Sequence, residues 1–84
     1  MKLQVAIDRV DMLQARSIVA QVADAADVVE IGTSLTKEYG LRALTRLTED
    51  YGGQVALRAD IKTCDEGRYE FDLGYDCGLA YLTV

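Results

Sequence analysis

Asp27-Val28-Val29-Glu30-Ile31-Gly32 decides the fold of this chain. Asp27 to Ile31, with the β-branched Val28, Val29 and Ile31, reads as a short buried strand, and Gly32 stops it. Upstream, Leu13, Ile18, Val19 and Val22 recur at helical spacing between Asp11 and about Ala23, with Asp11 placed as the N-cap. Before that helix, Leu3 to Ile7 reads as a strand ending at Asp8. Downstream, one helical stretch from about Leu35 to Tyr51 carries Leu41, Leu44 and Leu47, and Gly52-Gly53 ends it. Gln54 to Ala59 reads as a third strand, and Glu66 to Cys77 as a weaker helix, because Gly74 inside it costs about 1 kcal/mol relative to alanine. Gly78 closes that helix and Leu79 to Val84 reads as a fourth strand. Strands alternating with helices imply parallel pairing through crossovers, the α/β class. The order is (βα)3β, a single unit over residues 1–84 with no linker and no low-complexity tract. A parallel sheet ordinarily has both faces covered, so this count predicts an open edge and a partly open face.

Composition excludes several function classes. Nine basic and fourteen acidic residues give a net charge of −5 without any Lys/Arg cluster, so neither nucleic acid nor an anionic membrane surface is the expected partner. No apolar run reaches the ~20 residues of a membrane span, and the N-terminus lacks the pattern of a signal peptide. The expectation is a cytoplasmic protein. The absence of histidine rules out His-based nucleophilic catalysis and His-ligated zinc within these residues. Cys64 and Cys77 lie too far apart for a Cys-x-x-Cys motif and are expected to be reduced thiols, Cys64 being read as a packing residue. No Gly-rich phosphate loop follows any strand, which argues against a flavodoxin-like binding module.

The chemistry-bearing residues collect at strand ends: Asp8, Glu30 and Asp60. In parallel α/β folds ligands sit at the carboxyl ends of strands, so three acids there are expected to face one small volume. Two carboxylates ~4 Å apart repel by about 4 kcal/mol at an effective dielectric near 20, which calls for a divalent cation, the ammonium of Lys62, or a proton. Oxygen ligands without histidine or a thiolate cluster favour Mg²⁺ over zinc. If extended geometry continues, Asp60 and Lys62 share a face with Cα atoms ~6.6 Å apart. An acid after a strand is ordinarily a cap or turn residue, and Asp8 by itself fits that description. Glu30 does not, since a bare charge inside a Val-Val-x-Ile strand is costly.

Ala59-Asp60-Ile61-Lys62-Thr63-Cys64-Asp65-Glu66-Gly67 resembles the Asp-x-Lys-x-x-Asp signature of the orotidine-5′-monophosphate decarboxylase suprafamily. Val5-Ala6-Ile7-Asp8, Glu30-Ile31-Gly32-Thr33 and Gly78 to Val84 match the same suprafamily in order and spacing. Within it, Ile31-Gly32-Thr33, Lys62-Thr63 and Tyr39-Gly40-Leu41 look most like the 3-hexulose-6-phosphate synthase branch, with 3-keto-L-gulonate-6-phosphate decarboxylase as the close alternative. The resemblance implies the N-terminal half of a (β/α)8 TIM-type barrel that works as a dimer on a sugar phosphate similar to ribulose 5-phosphate. It implies that Glu30 and Asp60 bind Mg²⁺, that Asp8 contacts substrate hydroxyls, that Lys62 sits beside the reacting oxygens and that Asp65 reaches a neighbouring subunit's site. Asp60 and Asp65 flanking Lys62 would favour its ammonium form. The reaction implied is aldol addition of formaldehyde to ribulose 5-phosphate. The suprafamily's catalytic histidine and phosphate-gripping loops belong to the second half of such a barrel, so this chain alone is expected to be inactive. An inactive half-barrel that self-associates is the alternative of another class. Arg58 stands where the suprafamily usually has an apolar residue, on the side of the strand where it is expected to quench Asp60.

Overall fold

The computed structural model describes residues 1–84 and contains four parallel strands in the order β1-β2-β3-β4. They are β1 (Gln4–Ile7), β2 (Val28–Ile31), β3 (Ala56–Asp60) and β4 (Tyr81–Thr83). The register sets Ala6 beside Glu30 and Glu30 beside Arg58, which in turn neighbours Tyr81. One residue further on, Ile7, Ile31, Ala59 and Leu82 form the adjoining row. Because side chains alternate along a strand, these two rows point to opposite faces.

The helices cover the second face. Helix α1 (Met12–Val22) begins at Asp11, whose side chain accepts a hydrogen bond from the Gln14 amide at 2.7 Å, as an N-cap does. Its inward stripe is Ala15 and Val19, both fully buried, with Met12, Ile18 and Val22 packed partly against the core. Leu13 differs from expectation: it is 79% exposed, since its position turns outward from the Ala15–Val19 stripe.

The stretch after β2 is not one helix. It comprises α2 (Thr33–Tyr39), a 3-10 turn (Leu41–Leu44) and α3 (Thr45–Tyr51). Gly40 divides it with φ of 84°, a left-handed conformation that a glycine adopts without steric cost. The break lets Leu44 and Leu47 both reach the core beside Leu35. The last helix, α4 (Gly67–Asp76), packs Gly74 so closely on β4 that an added Cβ would lie 2.5 Å from Leu82 Cδ1. That close approach explains a glycine within a helix, despite its propensity cost.

The core is continuous: Ile7, Val29, Ile31, Leu57, Ala59 and Leu82 from the strands meet the helical residues named above. The opposite face carries Gln4, Glu30, Arg58 and Tyr81 and has no helix over it, as the element count predicts. Both cysteines are free; Cys77 is buried, whereas Cys64 is exposed in the loop after β3 and does not pack in the core. No helix is long and apolar enough to cross a membrane.

Candidate active site

The carboxyl ends of β1, β2 and β3 bring Asp8, Gly32, Asp60 and Lys62 to one rim. Gly32 is required there by space, because a Cβ at this position would lie 2.5 Å from Asp8 Cγ and 2.7 Å from the Ile7 carbonyl oxygen. Asp8 accepts hydrogen bonds from the amides of Ser34 at 3.2 Å and Arg9 at 3.1 Å, and from the Ser34 hydroxyl. The Ser34 hydroxyl first, then these amides, hold the Asp8 carboxyl below its ordinary value of 3.8. Asp8 thus ties the start of α2 to the end of β1 while remaining exposed.

Asp60 closes β3 and is bound by the Lys62 ammonium. This contact, expected from the sequence, arises by another route. The strand ends at Asp60, and Lys62 has φ of 46°, so the chain turns and the lysine side chain folds back onto Asp60. Arg9, also just past a strand end, has φ of 56°. Positive φ at residues other than glycine costs roughly 1–3 kcal/mol and concentrates at functional sites. The ammonium of Lys62 holds the Asp60 carboxyl below its ordinary value of 3.8, although desolvation opposes this. The second oxygen, Oδ1, is buried and makes no hydrogen bond of ordinary geometry, although the neighbouring Thr33 hydroxyl also favours the charged carboxyl.

Glu30 lies in the row behind. Along the strands it is two residues short of Asp60, so their Cα atoms are separated by ~8 Å from strand spacing and rise. Its partners are Gln4, whose Nε2 donates to Oε2 at 3.2 Å, and Arg58, whose Nε lies 3.8 Å from Oε1. Arg58 in turn donates from Nη1 to Gln4 Oε1 at 3.1 Å. Arg58 therefore faces Glu30 and not Asp60, because the register makes Glu30 its lateral neighbour.

The three acids share a face, but each has its own partners, and no group of three His, Cys, Asp or Glu residues is close enough to hold a metal ion together. The expected convergence on one small volume is corrected accordingly: Glu30 sits a row below the rim. Asp65 is exposed and makes no ion pair, so Asp60 alone flanks Lys62. Four contributors were missed in the sequence. Ser34 supports Asp8, and Thr36 Oγ1 donates to the Asp60 carbonyl at 3.2 Å. Thr63 binds Glu70 and so ties the β3–α4 loop to α4, and Gln4 bridges Glu30 and Arg58. The hydroxyls following Gly32 at a helix start were the available signal for Ser34; nothing local marked Gln4.

Residues 1–75 match the Orotidine 5'-phosphate decarboxylase / HUMPS family. The chain belongs to that family. Over 84 residues it is 36% identical to the 3-hexulose-6-phosphate synthase of Mycobacterium gastri, covering 100% of this chain and 40% of that protein. The crystal structure of 3-hexulose-6-phosphate synthase from Salmonella typhimurium superposes with a TM-score of 0.90 at 34% identity, covering 100% of this chain and 39% of that one. The crystal structure of 3-keto-L-gulonate-6-phosphate decarboxylase from Vibrio cholerae gives 0.89 at 29% identity, covering 99% and 38%. The four strands and their helices correspond to the N-terminal part of TIM-barrel synthase structures. The chain spans about 40% of the length of the curated relatives it matches. In this family setting, the open face of the sheet corresponds to the side that a TIM barrel turns inward.

Proposed function

We propose that this chain carries the acid-and-ammonium half of a lyase site of the 3-hexulose-6-phosphate synthase type. The reaction is addition of formaldehyde to ribulose 5-phosphate, giving hex-3-ulose 6-phosphate. The observation that supports this reading is the Asp60–Lys62 pair at the end of β3, with Asp60 Oδ1 buried and unsatisfied. An orphaned carboxylate oxygen suits a hard, oxygen-seeking cation, and Glu30 on the same face suits a second ligand. Glu30 and Asp60 would hold Mg²⁺ through their carboxylate oxygens. When bound, that ion supplies Lewis-acid polarisation of the sugar carbonyl. Lys62 places positive charge where an oxyanion develops as the proton leaves the sugar carbon next to the carbonyl. The resulting carbon nucleophile forms the new C–C bond to formaldehyde, whose oxygen takes up a proton. Asp8 accepts hydrogen bonds from substrate hydroxyls, held in place by Ser34. Asp65, exposed on the β3–α4 loop, extends toward a neighbouring subunit in a homo-oligomer.

Identity favours the synthase branch, at 36% and 38% to two synthases against 32% to the probable 3-keto-L-gulonate-6-phosphate decarboxylase of the same family. Titration calorimetry of the chain with MgCl₂ tests the site. Binding at millimolar Mg²⁺ that disappears in Asp60→Asn is expected, and no heat in the wild type counts against the metal reading. Formaldehyde consumption with ribulose 5-phosphate, set against CO₂ release from 3-keto-L-gulonate 6-phosphate, separates the two branches.

A second reading has its own observation. Tyr81 is 49% exposed on the face without helices, and β1 and β4 are open edges. A non-catalytic half-barrel would cover that surface by self-association. Sedimentation at micromolar concentration tests it, and a well-folded monomer would count against it.

A further inference from the structure

Arg58 is the one cation lying within the carboxylate row and not at its rim. It stands directly beside Glu30 across the β2–β3 ladder, with Nε 3.8 Å from Glu30 Oε1. Gln4 clamps the pair from β1, accepting from Arg58 Nη1 at 3.1 Å and donating to Glu30 Oε2 at 3.2 Å. The Arg58 Nε–H is nonetheless buried without an acceptor, since 3.8 Å exceeds hydrogen-bonding distance. The guanidinium is therefore held near Glu30 chiefly by charge. Asp8, Glu30 and Asp60 carry the negative charge here, with Arg9 beside Asp8, Lys62 on Asp60 and Arg58 beside Glu30. Removing Arg58 leaves Glu30 without its neighbouring cation, and a bare carboxylate attracts a divalent ion more strongly.

We propose that Arg58 is a built-in counter-cation of Glu30 that competes with a divalent metal ion for this carboxylate. This rests on the reading of Glu30 and Asp60 as the ion's ligands. Binding of the ion at Glu30 then requires the guanidinium to move away or to share the carboxylate. Arg58 is in this sense a positioning residue: it acts on the metal through Glu30 and sets the affinity of the site without being a ligand.

Calorimetric titration of MgCl₂ into the wild-type chain and its Arg58→Gln and Arg58→Lys variants provides the test. Arg58→Gln is expected to bind Mg²⁺ about tenfold more tightly, a change of about 1.4 kcal/mol. Arg58→Lys, which keeps the charge, is expected to stay near the wild type. A gain in affinity on losing a side chain is not the signature of a merely structural residue. Should Arg58→Gln fail to fold, by circular dichroism, Arg58→Met keeps an apolar stem at the position and carries the same expectation. If folded Arg58→Gln binds no tighter than a wild type that does bind, the competition is overturned and the ligand reading survives. Arg58→Lys tightening as much as Arg58→Gln also overturns it, because charge would then not be the cause. If neither wild type nor Arg58→Gln binds, the ligand reading itself fails and takes this proposal with it.

Discussion

Alternate residues of the same strands build the two faces of the sheet, and the faces are held by different forces. On the helix side, Val29, Ile31, Leu57, Ala59 and Leu82 lie in one apolar core, and removal of their area from water stabilises the fold. On the open side, Glu30, Arg58 and Asp60 keep charge at partial exposure, Glu30 at 18% and Asp60 at 21% of the side chain, with the neutral amide of Gln4 between Glu30 and Arg58. Full burial of such charges would carry a large desolvation cost, whereas partial exposure lowers that cost. The difference shows that a single-residue step along a strand separates folding residues from chemical ones.

The comparison breaks most readily at Leu57. Leu57→Ala removes a side chain that is 2% exposed, and a loss of about 2–5 kcal/mol in urea unfolding is expected. Its neighbour on the strand gives the contrast: Arg58→Gln should shift stability by no more than about 1 kcal/mol, since partly exposed ion pairs contribute little. Equal losses for the two variants would erase the division between the faces. Gly32→Ala comes next, because the new methyl meets both Asp8 and the Ile7 carbonyl. A loss of about 1–3 kcal/mol is expected from this overpacking, measured in the same experiment.

Lys62→Gly sharpens the comparison from the other direction. It relieves a left-handed backbone at φ of 46°, so a gain of up to about 1 kcal/mol in stability is expected in urea unfolding. A loss of stability would mean that the Asp60–Lys62 pair outweighs the backbone strain. The smallest effect is in acid. Asp8 and Asp60 are both held below 3.8, so the stability they contribute is complete above that value and disappears as pH falls through their lower folded-state values. Unfolding midpoints measured from pH 6 down to pH 3 should therefore decline, and Asp60→Asn should decline less steeply. Identical slopes would show that Lys62 contributes nothing through Asp60.

Much of this was legible because period and charge are local properties. The β-branched run Val28 to Ile31, the Asp11 cap and the Asp60–Lys62 contact each depend on residues a few positions apart. Gly40 was harder to read, because Leu41, Leu44 and Leu47 continue a helical spacing straight through a left-handed break. Leu13 misled for a similar reason: its apolar character fitted the pattern, but the narrow stripe of Ala15 and Val19 left no room for it inward. Cys64, read as packing, proved exposed because the chain leaves the sheet after Ile61.

Residue order alone determined the alternation of strand and helix and the sign of charge at the strand ends, and it placed Lys62 within reach of Asp60. The partner each remaining carboxylate takes was decided only in three dimensions. Glu30 meets Arg58 from 28 residues away and Gln4 from 26, and Asp8 meets Ser34 from 26. Those meetings depend on strand register, which is set by how each crossover helix packs on the sheet. A shift of one residue would turn Glu30 into the core and Ile31 to the open face. The energy that prevents the shift comes from the whole apolar layer acting together, and no single segment of the chain contains it.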